Sequence, residues 1–235
     1  MKKRFQGKIG EDYDLFSLSC PHHDELQGTI GKIIKQYLQN SDQETISVLE
    51  IGHGTGITSN IILSSDKRIT LDAVDNESNM IVPASENLKE YEGRFSLITQ
   101  DGLEYIKKKS KSYDIFVSAF TIHNFEQDYR KQFLTEIYRV LKPDGIFINA
   151  DKYVHNDNEL QQKDLEWQIA KFKEVYDAIN RPDLRDEWIK HYLEDLKEDV
   201  IMREQEAIQI IQKLGFKNIQ KRFRKHMEAV IYAQK

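Results

Sequence analysis

Short apolar runs, rich in β-branched residues, alternate with longer helical patterns through the middle of the chain. The candidate strands lie at 46–51, 69–74, 95–99, 113–118 and 145–150. Several of these runs are apolar almost throughout, which is typical of strands that are covered on both faces. Repeated strand–helix units predict parallel strands joined by right-handed crossovers. The pattern therefore predicts an α/β fold with a doubly wound, mostly parallel sheet.

Helical patterns also occur at both ends of this strand series. Apolar residues recur at helical spacing over about 22–39, which predicts an amphipathic helix before the first strand. Two more helices are predicted within 155–200, and a third at 204–214 ends at Gly215, the position of a C′ glycine. Two strands at 216–222 and 227–233 close the chain. We interpret 1–235 as a single domain with an N-terminal flap and helix at 1–40 and a helical insert at 155–200.

Length and cysteine content define the broad class of protein. A chain of 235 residues can bury a large core without disulfides or a structural metal. Its single cysteine, Cys20, cannot form an intrachain disulfide, which favours a reducing compartment. The basic start is not followed by the apolar stretch of a signal peptide, and no window resembles a membrane span. We therefore expect a cytoplasmic protein without a membrane partner.

The charge balance opposes nucleic acid as a partner. The formal net charge is −5, whereas nucleic-acid binding requires many phosphates to be neutralised by basic side chains. One local basic run near the end of the chain is the exception, and we interpret it as the solvated face of an edge hairpin rather than a polyanion site. It consists of Lys217, Lys221, Arg222, Arg224 and Lys225.

Three alternate glycines follow the first predicted strand. Gly52, Gly54 and Gly56 stand where the crevice of a doubly wound sheet opens, and glycine lets a ligand approach the backbone closely. An ordinary tight turn would need fewer glycines. Position 57 is isoleucine, which breaks the dinucleotide motif, and the turn lacks the lysine of a phosphate-binding loop. Glu50 would repel a pyrophosphate but attract an ammonium group, so the turn favours a ligand without phosphate.

Two aspartates follow the next two strands. Asp75 comes 19 residues after Gly56, the interval at which an acidic residue binds ribose hydroxyls in nucleotide-binding units. Its alternative role is to cap the helix that follows. Asp101 is placed either to accept a hydrogen bond from an adenine amine or to cap the next helix.

Together with the turn, these aspartates belong to five motifs that resemble the class I S-adenosylmethionine-dependent methyltransferases. The motifs are EIGHGTG at 50–56, DNESNMI at 75–81, QDG at 100–102, YDIFVSAFTIHNF at 113–125 and LKPDG at 141–145. The resemblance implies a seven-stranded Rossmann-like sheet whose last two strands form an antiparallel hairpin. It also implies an enzyme with S-adenosyl-L-methionine as cofactor. This cofactor carries a sulfonium and an ammonium and no phosphate, which suits an acidic site.

The resemblance further implies the residues that bind the cofactor. Glu50 and the glycine turn would bind the methionine part, and Asp75 would bind the ribose. Met80 and Asp101 would contact the adenine, while Ala119 and His123 would lie at the sulfonium. Tyr13 is expected to cover the cofactor. The full expected set is Tyr13, Glu50, Gly52, His53, Gly54, Gly56, Asp75, Asn76, Met80, Asp101, Gly102, Ala119 and His123.

The acceptor is expected to be a small molecule. The segment at 118–121 lacks the Asn/Asp-Pro-Pro-aromatic signature of enzymes that methylate exocyclic amines of bases or glutamine amides. His123 is a candidate general base, although a histidine packed under the loop would be equally compatible. Segments 13–23 and 155–200 would form the lid. We expect no metal site, because the adjacent His22 and His23 point in different directions on a helix.

Two alternative functions stay open at this stage. The ends of the chain loosely resemble the carboxy-S-adenosylmethionine synthases of tRNA wobble modification, but no arginine here matches the one that would bind the extra carboxylate. The second alternative is a non-catalytic cofactor-binding subunit. An open cavity beside the sulfonium position would favour an enzyme, whereas a pocket filled by Phe120, Phe125 or Trp188 would favour the subunit. The acceptor, the methylated atom and the oligomeric state are not predicted.

Overall fold

Seven strands form one sheet in the computed structural model, which describes residues 9, 12, 15–110 and 112–235. The strands are β1 (Ile46–Ile51), β2 (Ile69–Asp75), β3 (Phe95–Thr99), β4 (Tyr113–Ala119), β5 (Leu141–Lys152), β6 (Lys217–Lys225) and β7 (Glu228–Gln234). Their order is β3-β2-β1-β4-β5-β7-β6. The first five strands pair in parallel, and β7 pairs antiparallel with both β5 and β6. The mostly parallel sheet and the closing hairpin are thus confirmed.

Helices connect the strands and cover both faces of the sheet. They are α1 (Phe16–Ser19), α2 (His23–Gln39), α3 (Ile57–Ser65), α4 (Ile81–Asn87), α5 (Gly102–Lys107), α6 (Gln127–Val140), α7 (Asn158–Ala178), α8 (Pro182–Glu194) and α9 (Glu204–Lys213). Short 3₁₀ turns occur at Ser78–Met80, Lys89–Tyr91 and Ile122–Asn124. None of the helices described is both long and apolar enough to cross a membrane.

Two hydrophobic layers lie on opposite faces of the sheet. Neighbouring residues of β1 point to opposite faces, so Val48 packs in one layer and Leu49 in the other. The layer containing Val48 also contains side chains of α2, α3, α7 and α8, whereas α5, α6 and α9 contribute to the second layer. This arrangement explains why the strands are apolar on both sides.

The boundaries of β5 differ from the sequence prediction. The apolar pattern predicts a strand at 145–150, but pairing with β4 already begins at Leu141 and the strand continues to Lys152. A register shift between Tyr113 and Ile115 accommodates the polar stretch that precedes Gly145, and Asp144 has a positive φ of 60° there. A bulge of this kind inserts residues without ending the strand. The polar residues in the bulge interrupt the apolar pattern, so the pattern alone places the start of β5 too late.

The predicted insert forms α7 and α8, which pack against the first hydrophobic layer. The predicted helix at 204–214 is also present, as α9, and Gly215 follows it with a φ of 104°. The basic run lies on β6, at the edge of the sheet, as expected. One member differs, because the Arg224 side chain is only 15% exposed and binds Glu204 at 2.9 Å, so it is not part of a solvated face.

Candidate cofactor and acceptor site

The glycine turn after β1 adopts a backbone conformation that favours glycine at three positions. The φ angles of Gly52, Gly54 and Gly56 are 81°, 49° and 90°. A Cβ atom at Gly52 would lie 1.9 Å from the Oγ1 atom of Thr121, which follows β4. The turn therefore contacts the segment after the neighbouring parallel strand, and the absence of a side chain at Gly52 permits this close approach.

Glu50 is fully buried at the end of β1. Its Oε2 atom accepts a hydrogen bond of 2.5 Å from the Ser59 hydroxyl, whereas its Oε1 atom has no hydrogen-bond partner among the residues that the structure describes. Burial raises the pKa of Glu50 to about 8, because the charged carboxylate loses its hydration. A buried acceptor without a partner is uncommon in native proteins. The ammonium group of a bound ligand would satisfy this one.

His53 provides a second buried polar atom within the turn. Its Nδ1 atom lies 2.8 Å from the Gly54 carbonyl oxygen, while its Nε2 atom is buried without a hydrogen-bond partner in the described part of the chain. Burial lowers the pKa of His53 and thereby favours the neutral ring. The turn therefore presents a glycine backbone and two unsatisfied polar atoms, which fits the methionine part of S-adenosylmethionine.

Asp75 connects the glycine turn to the chain after β2. Its Oδ2 atom accepts a hydrogen bond from the Gly54 N–H at 2.9 Å, and its Oδ1 atom accepts one from the Glu77 N–H at 2.9 Å. The predicted alternative role as a helix cap is not found, because the turn Ser78–Met80 has Glu77 at its N-cap and the helix α4 has Met80, both without a side-chain capping bond; Asp75 instead stabilises the glycine turn and the segment before Ser78. Each carboxylate oxygen has a further lone pair, so the arrangement is also compatible with ribose hydroxyls. The ribose role stays a prediction.

Asp101 caps α5, the alternative role that the sequence left open. Its carboxylate accepts hydrogen bonds from the Glu104 N–H at 3.1 Å and from the Tyr129 hydroxyl at 2.7 Å. Next to it, Gly102 is buried, and a Cβ atom there would lie 3.1 Å from Ile51 Cγ2. Asp101 is thus fixed at the carboxyl edge of the sheet, and its predicted contact with adenine stays a prediction.

The remaining candidates follow the carboxyl ends of the strands. Asn76 follows β2 directly, and Met80, four residues later, is buried in the turn that comes next. Ala119 is the last residue of β4 and lies beside Ala150 of β5. Tyr13 lies outside the described residues.

His123 is held by a buried carboxylate of β5. Its Nδ1 atom lies 2.5 Å from Asp151 Oδ1, and its backbone N–H donates to Asp151 Oδ2 at 3.1 Å. Asp151 has no exposed surface and also accepts hydrogen bonds from the Lys152 N–H at 2.9 Å and the Asn149 amide at 3.3 Å. If the ring hydrogen is on Nδ1 and is donated to Asp151, the lone pair is on Nε2, which lies 3.7 Å from Asp195 Oδ2. This geometry is suitable for a general base.

Lys152, at the end of β5, forms an ion pair with Asp195 directly after α8. The Lys152 ammonium also lies 3.7 Å from the centre of the Tyr192 ring. Asp195 Oδ2 is 3.7 Å from His123 Nε2 and 3.8 Å from His191 Nε2. The structure therefore brings together five buried polar residues, which we call the polar cluster: His123, Asp151, Lys152, His191 and Asp195.

A narrow cavity borders the polar cluster. Its polar wall is formed by His123, Lys152 and His191, and its aromatic wall by Phe16, Phe120, Trp188 and Tyr192. Phe120 has a φ of 48°, which is strained for a bulky residue and turns the chain after β4 toward the glycine turn.

The aromatic residues discriminate between the functional alternatives. Phe120 and Trp188 line the cavity, and Phe125 packs in the opposite layer against Tyr129 and Phe133. Phe120 and Trp188 also pack against Phe16 and leave a free volume of only about 10 Å³, so in this conformation they fill the pocket, which is the arrangement predicted for a non-catalytic subunit.

Most of the polar cluster was missed by sequence reasoning. Asp151 and Lys152 end a strand adjacent to β4, and the carboxyl ends of parallel strands are where α/β proteins bind ligands; this signal was available. His191 and Asp195 are four residues apart on one helix face, which is a weaker signal. His123, His191 and Asp195 offer ligand atoms within 4.8 Å of one another, a geometry compatible with a metal that the sequence did not suggest.

Sequence comparisons find similarity to proteins named as methyltransferases and as carboxy-S-adenosyl-L-methionine synthases. A family profile described as a methyltransferase domain matches residues 48–145. A carboxy-S-adenosyl-L-methionine synthase from Nautilia profundicola is 25% identical over 90% of this chain and 85% of its own length. A malonyl-[acyl-carrier protein] O-methyltransferase from Priestia megaterium is 30% identical over 62% of this chain, which spans only 48% of that relative.

Solved structures share the fold over most of the chain. A putative S-adenosyl-L-methionine-dependent methyltransferase from Methanococcus maripaludis superposes with a TM-score of 0.63 at 19% identity, covering 100% of this chain and 95% of that one. The CurJ carbon methyltransferase has a TM-score of 0.64 at 18% identity and covers 88% of this chain and 53% of its own. Residues 48–145 thus match a methyltransferase domain, and the whole chain shares the fold of solved S-adenosyl-L-methionine-dependent methyltransferases, which supports an enzyme with S-adenosyl-L-methionine as cofactor.

Proposed function

We propose that the enzyme transfers a methyl group to a small-molecule acceptor bound in the cavity beside His123. The observation that carries this proposal is the position of the cavity. It lies at the carboxyl ends of β4 and β5, and the segment between them contacts the glycine turn through Thr121 and Gly52. Aromatic walls with a few polar groups are typical of small-molecule sites.

Residues at the carboxyl ends of β1, β2 and β3 would hold the cofactor. The Oε1 atom of Glu50 would accept a hydrogen bond from the ammonium group, Asp75 would bind the ribose, and Met80 and Asp101 would contact the adenine. When bound, S-adenosylmethionine supplies a methyl group with a neutral thioether as its leaving group. A nearby positive charge stabilises the carboxylate, so Glu50 would lose its proton as the cofactor binds.

The chain would contribute alignment, exclusion of water and a base. The aromatic wall formed by Phe16, Trp188 and Tyr192 would keep water from the acceptor and orient it. His123 would accept the acceptor's proton at Nε2, and Asp151 would keep the ring in the required tautomer and orientation. Asp151 is therefore a positioning residue.

Segment 155–200 would act as the lid of this site, together with the N-terminal flap. Trp188 and Tyr192, both on α8, form part of the cavity wall, and Phe16 contributes from the N-terminal side at α1. The cavity is narrow with these elements in place, so entry of an acceptor would require them to separate. This division into flap, sheet and lid within one domain 1–235 is part of the proposal.

The second candidate function is carboxy-S-adenosylmethionine synthesis. Its support is the relative of that name, which is 25% identical to this chain over 90% of its length. Such an enzyme would modify the cofactor instead of consuming its methyl group.

Mass spectrometry of both cofactor and acceptor separates the two candidates. The protein is incubated with S-adenosylmethionine and a small-molecule extract, with and without added small organic acids. Methyl transfer predicts S-adenosylhomocysteine together with a compound that has gained one methyl group. A cofactor that has gained a carboxyl group would instead assign the synthase function, and formation of neither product would contradict both.

A further inference from the structure

Tyr129, on α6, lies beside the carboxylate that is predicted to contact adenine, although none of the five sequence motifs includes it. Its hydroxyl donates a hydrogen bond of 2.7 Å to Asp101 Oδ1. The Leu103 N–H donates to the same hydroxyl oxygen at 3.2 Å. The oxygen thus accepts from the backbone while its hydrogen is directed to Asp101, and the two bonds fix the hydroxyl in one orientation.

The ring of Tyr129 is held by two phenylalanines. Phe125 packs edge-on against it with the ring centres 4.9 Å apart, and Phe133 stacks on it at 6.3 Å. Phe133 also lies close to the chain after β3, because a Cβ atom at Gly102 would be 3.3 Å from Phe133 Cε2. Close packing of this kind leaves a side chain little room to shift. The hydroxyl therefore has a fixed position relative to the sheet.

Asp101 follows the last hydrogen bond between β2 and β3. The Gln100 N–H donates to the Asp75 carbonyl oxygen at 3.0 Å, so the carboxylates predicted for ribose and for adenine follow neighbouring strands. The Oδ1 atom of Asp101 accepts from both the Tyr129 hydroxyl and the Glu104 N–H. Two donors on one oxygen set the plane of the carboxylate and thereby the direction in which Oδ2 accepts.

The same bonds keep Asp101 in the form that only accepts hydrogen bonds. Although burial alone raises the pKa of Asp101, hydrogen bonds from Tyr129 and from the Glu104 N–H help to hold it below its usual value. An ionised carboxylate cannot donate. It accepts a hydrogen bond from the exocyclic amine of adenine, whereas the carbonyl oxygen that hypoxanthine carries at that position repels it.

We propose that Tyr129 is a positioning residue that directs the Asp101 carboxylate at the exocyclic amine and thereby makes the site select adenine over hypoxanthine. This role rests on the proposed function, in which Asp101 contacts the adenine of the cofactor. A carboxylate that is free to turn loses part of its bond to the amine and also avoids part of the repulsion from a carbonyl oxygen. Removal of the Tyr129 hydroxyl therefore changes the ratio of the two affinities.

A purely structural role is the competing explanation, because the Tyr129 hydroxyl also binds the first turn of α5 through Leu103. The two roles differ in what they predict for base selection. Loss of a structural bond weakens the binding of adenine and hypoxanthine ligands alike and leaves their ratio unchanged. Loss of a positioning bond weakens mainly the adenine ligand.

Calorimetric titration of the full-length protein with S-adenosylhomocysteine and with S-inosylhomocysteine measures this ratio. The second ligand carries hypoxanthine in place of adenine and is otherwise identical. We expect the wild-type protein to bind S-adenosylhomocysteine about thirtyfold more tightly, because hypoxanthine loses a hydrogen bond to a charged group and sets oxygen against oxygen. Tyr129→Phe keeps the ring contacts with Phe125 and Phe133, and it should lower the ratio about fivefold.

Two further variants assign the effect. Tyr138→Phe is the matched control, because Tyr138 lies near the other end of α6, where its ring packs against Phe216, and its replacement should leave the ratio unchanged. Asp101→Asn should itself lower the ratio, since an amide can donate to the carbonyl oxygen of hypoxanthine. If Tyr129 acts through Asp101, adding Tyr129→Phe to Asp101→Asn should change the ratio less than about twofold.

The outcomes separate this role from the function on which it rests. Failure of the wild-type protein to bind S-adenosylhomocysteine would contradict the proposed function itself. With that binding intact, equal affinity of the wild-type protein for the two ligands would overturn the role of Tyr129 while leaving methyl transfer in place. An unchanged ratio in Tyr129→Phe would do the same, as would a fivefold change that persists in the Asp101→Asn protein.

Discussion

Replacing Glu50 by glutamine should stabilise the protein without cofactor, even though Glu50 lies in the cofactor site. The side chain is fully buried, and its pKa is about 8 in the folded protein against an ordinary value of 4.5. A raised pKa of an acid means that the folded state prefers the neutral carboxyl group. This stabilisation is fully present below pH 4.5 and is lost as the pH rises through about 8.

The size of the effect follows from linkage between protonation and folding. At about 1.4 kcal/mol per pKa unit, the ionisable carboxyl group lowers the free energy of unfolding by about 3 kcal/mol at pH 7 and by about 5 kcal/mol above pH 9. Glutamine does not ionise and can still accept the Ser59 hydrogen bond. The advantage of Glu50→Gln over wild type should therefore increase with pH.

Urea unfolding at pH 5, 7 and 9 measures this advantage directly. Glu86→Gln is the matched control, because Glu86 is exposed on α4 and its replacement should give no pH-dependent difference. The same Glu50→Gln protein should bind S-adenosylhomocysteine at least tenfold more weakly at pH 8, since it lacks the carboxylate that pairs with the ammonium group. A stability difference that is independent of pH would refute the reasoning about burial of Glu50.

Three further predictions test the glycine turn, Asp75 and the cavity wall. Asp75→Ala should weaken S-adenosylhomocysteine binding by about 1 to 3 kcal/mol in calorimetry; unchanged affinity in a folded variant would show that Asp75 only organises the turn. Gly52→Ala should lower the free energy of unfolding by about 1 to 3 kcal/mol, because its new Cβ meets Thr121, and Thr121→Gly should partly restore it; equal stability of Gly52→Ala and wild type in urea would contradict this close approach. Trp188→Ala should destabilise the fold by about 3 to 5 kcal/mol yet retain cofactor affinity, and parallel loss of both in a folded variant would place Trp188 in the cofactor site.

The sequence predicted the fold well where the signal was local. The spacing of apolar residues within short segments is enough to predict the apolar strands, the helix α2 and the glycine that follows α9. The structure contains all of them. The predicted start of β5 at residue 145 was wrong. Pro143 and Asp144 are typical of a turn, but pairing with β4 extends the strand back to Leu141 across a bulge. The prediction that Arg224 lies on a solvated face was wrong, because Arg224 pairs with Glu204 of α9 and this contact cannot be derived from sequence spacing.

The sequence carries more information about the cofactor side of the site than about the acceptor side. The cofactor motifs are contiguous segments, so Glu50 and the glycine turn can be proposed without knowledge of the fold, and their cofactor contacts stay predictions. The ion pair of Lys152 and Asp195 joins residues 43 positions apart through the packing of α8 on the sheet. The same is true of His123 and Asp151, which lie 28 positions apart. Such contacts appear only when the strand order and the placement of the insert are known.

Calorimetric titration of the purified protein with S-adenosylhomocysteine and, separately, with NAD tests the central claim most directly. The account predicts saturable one-to-one binding of S-adenosylhomocysteine, with net proton release at pH 7 from Glu50, and no heat from NAD. Binding of NAD without any response to S-adenosylhomocysteine or S-adenosylmethionine would contradict it.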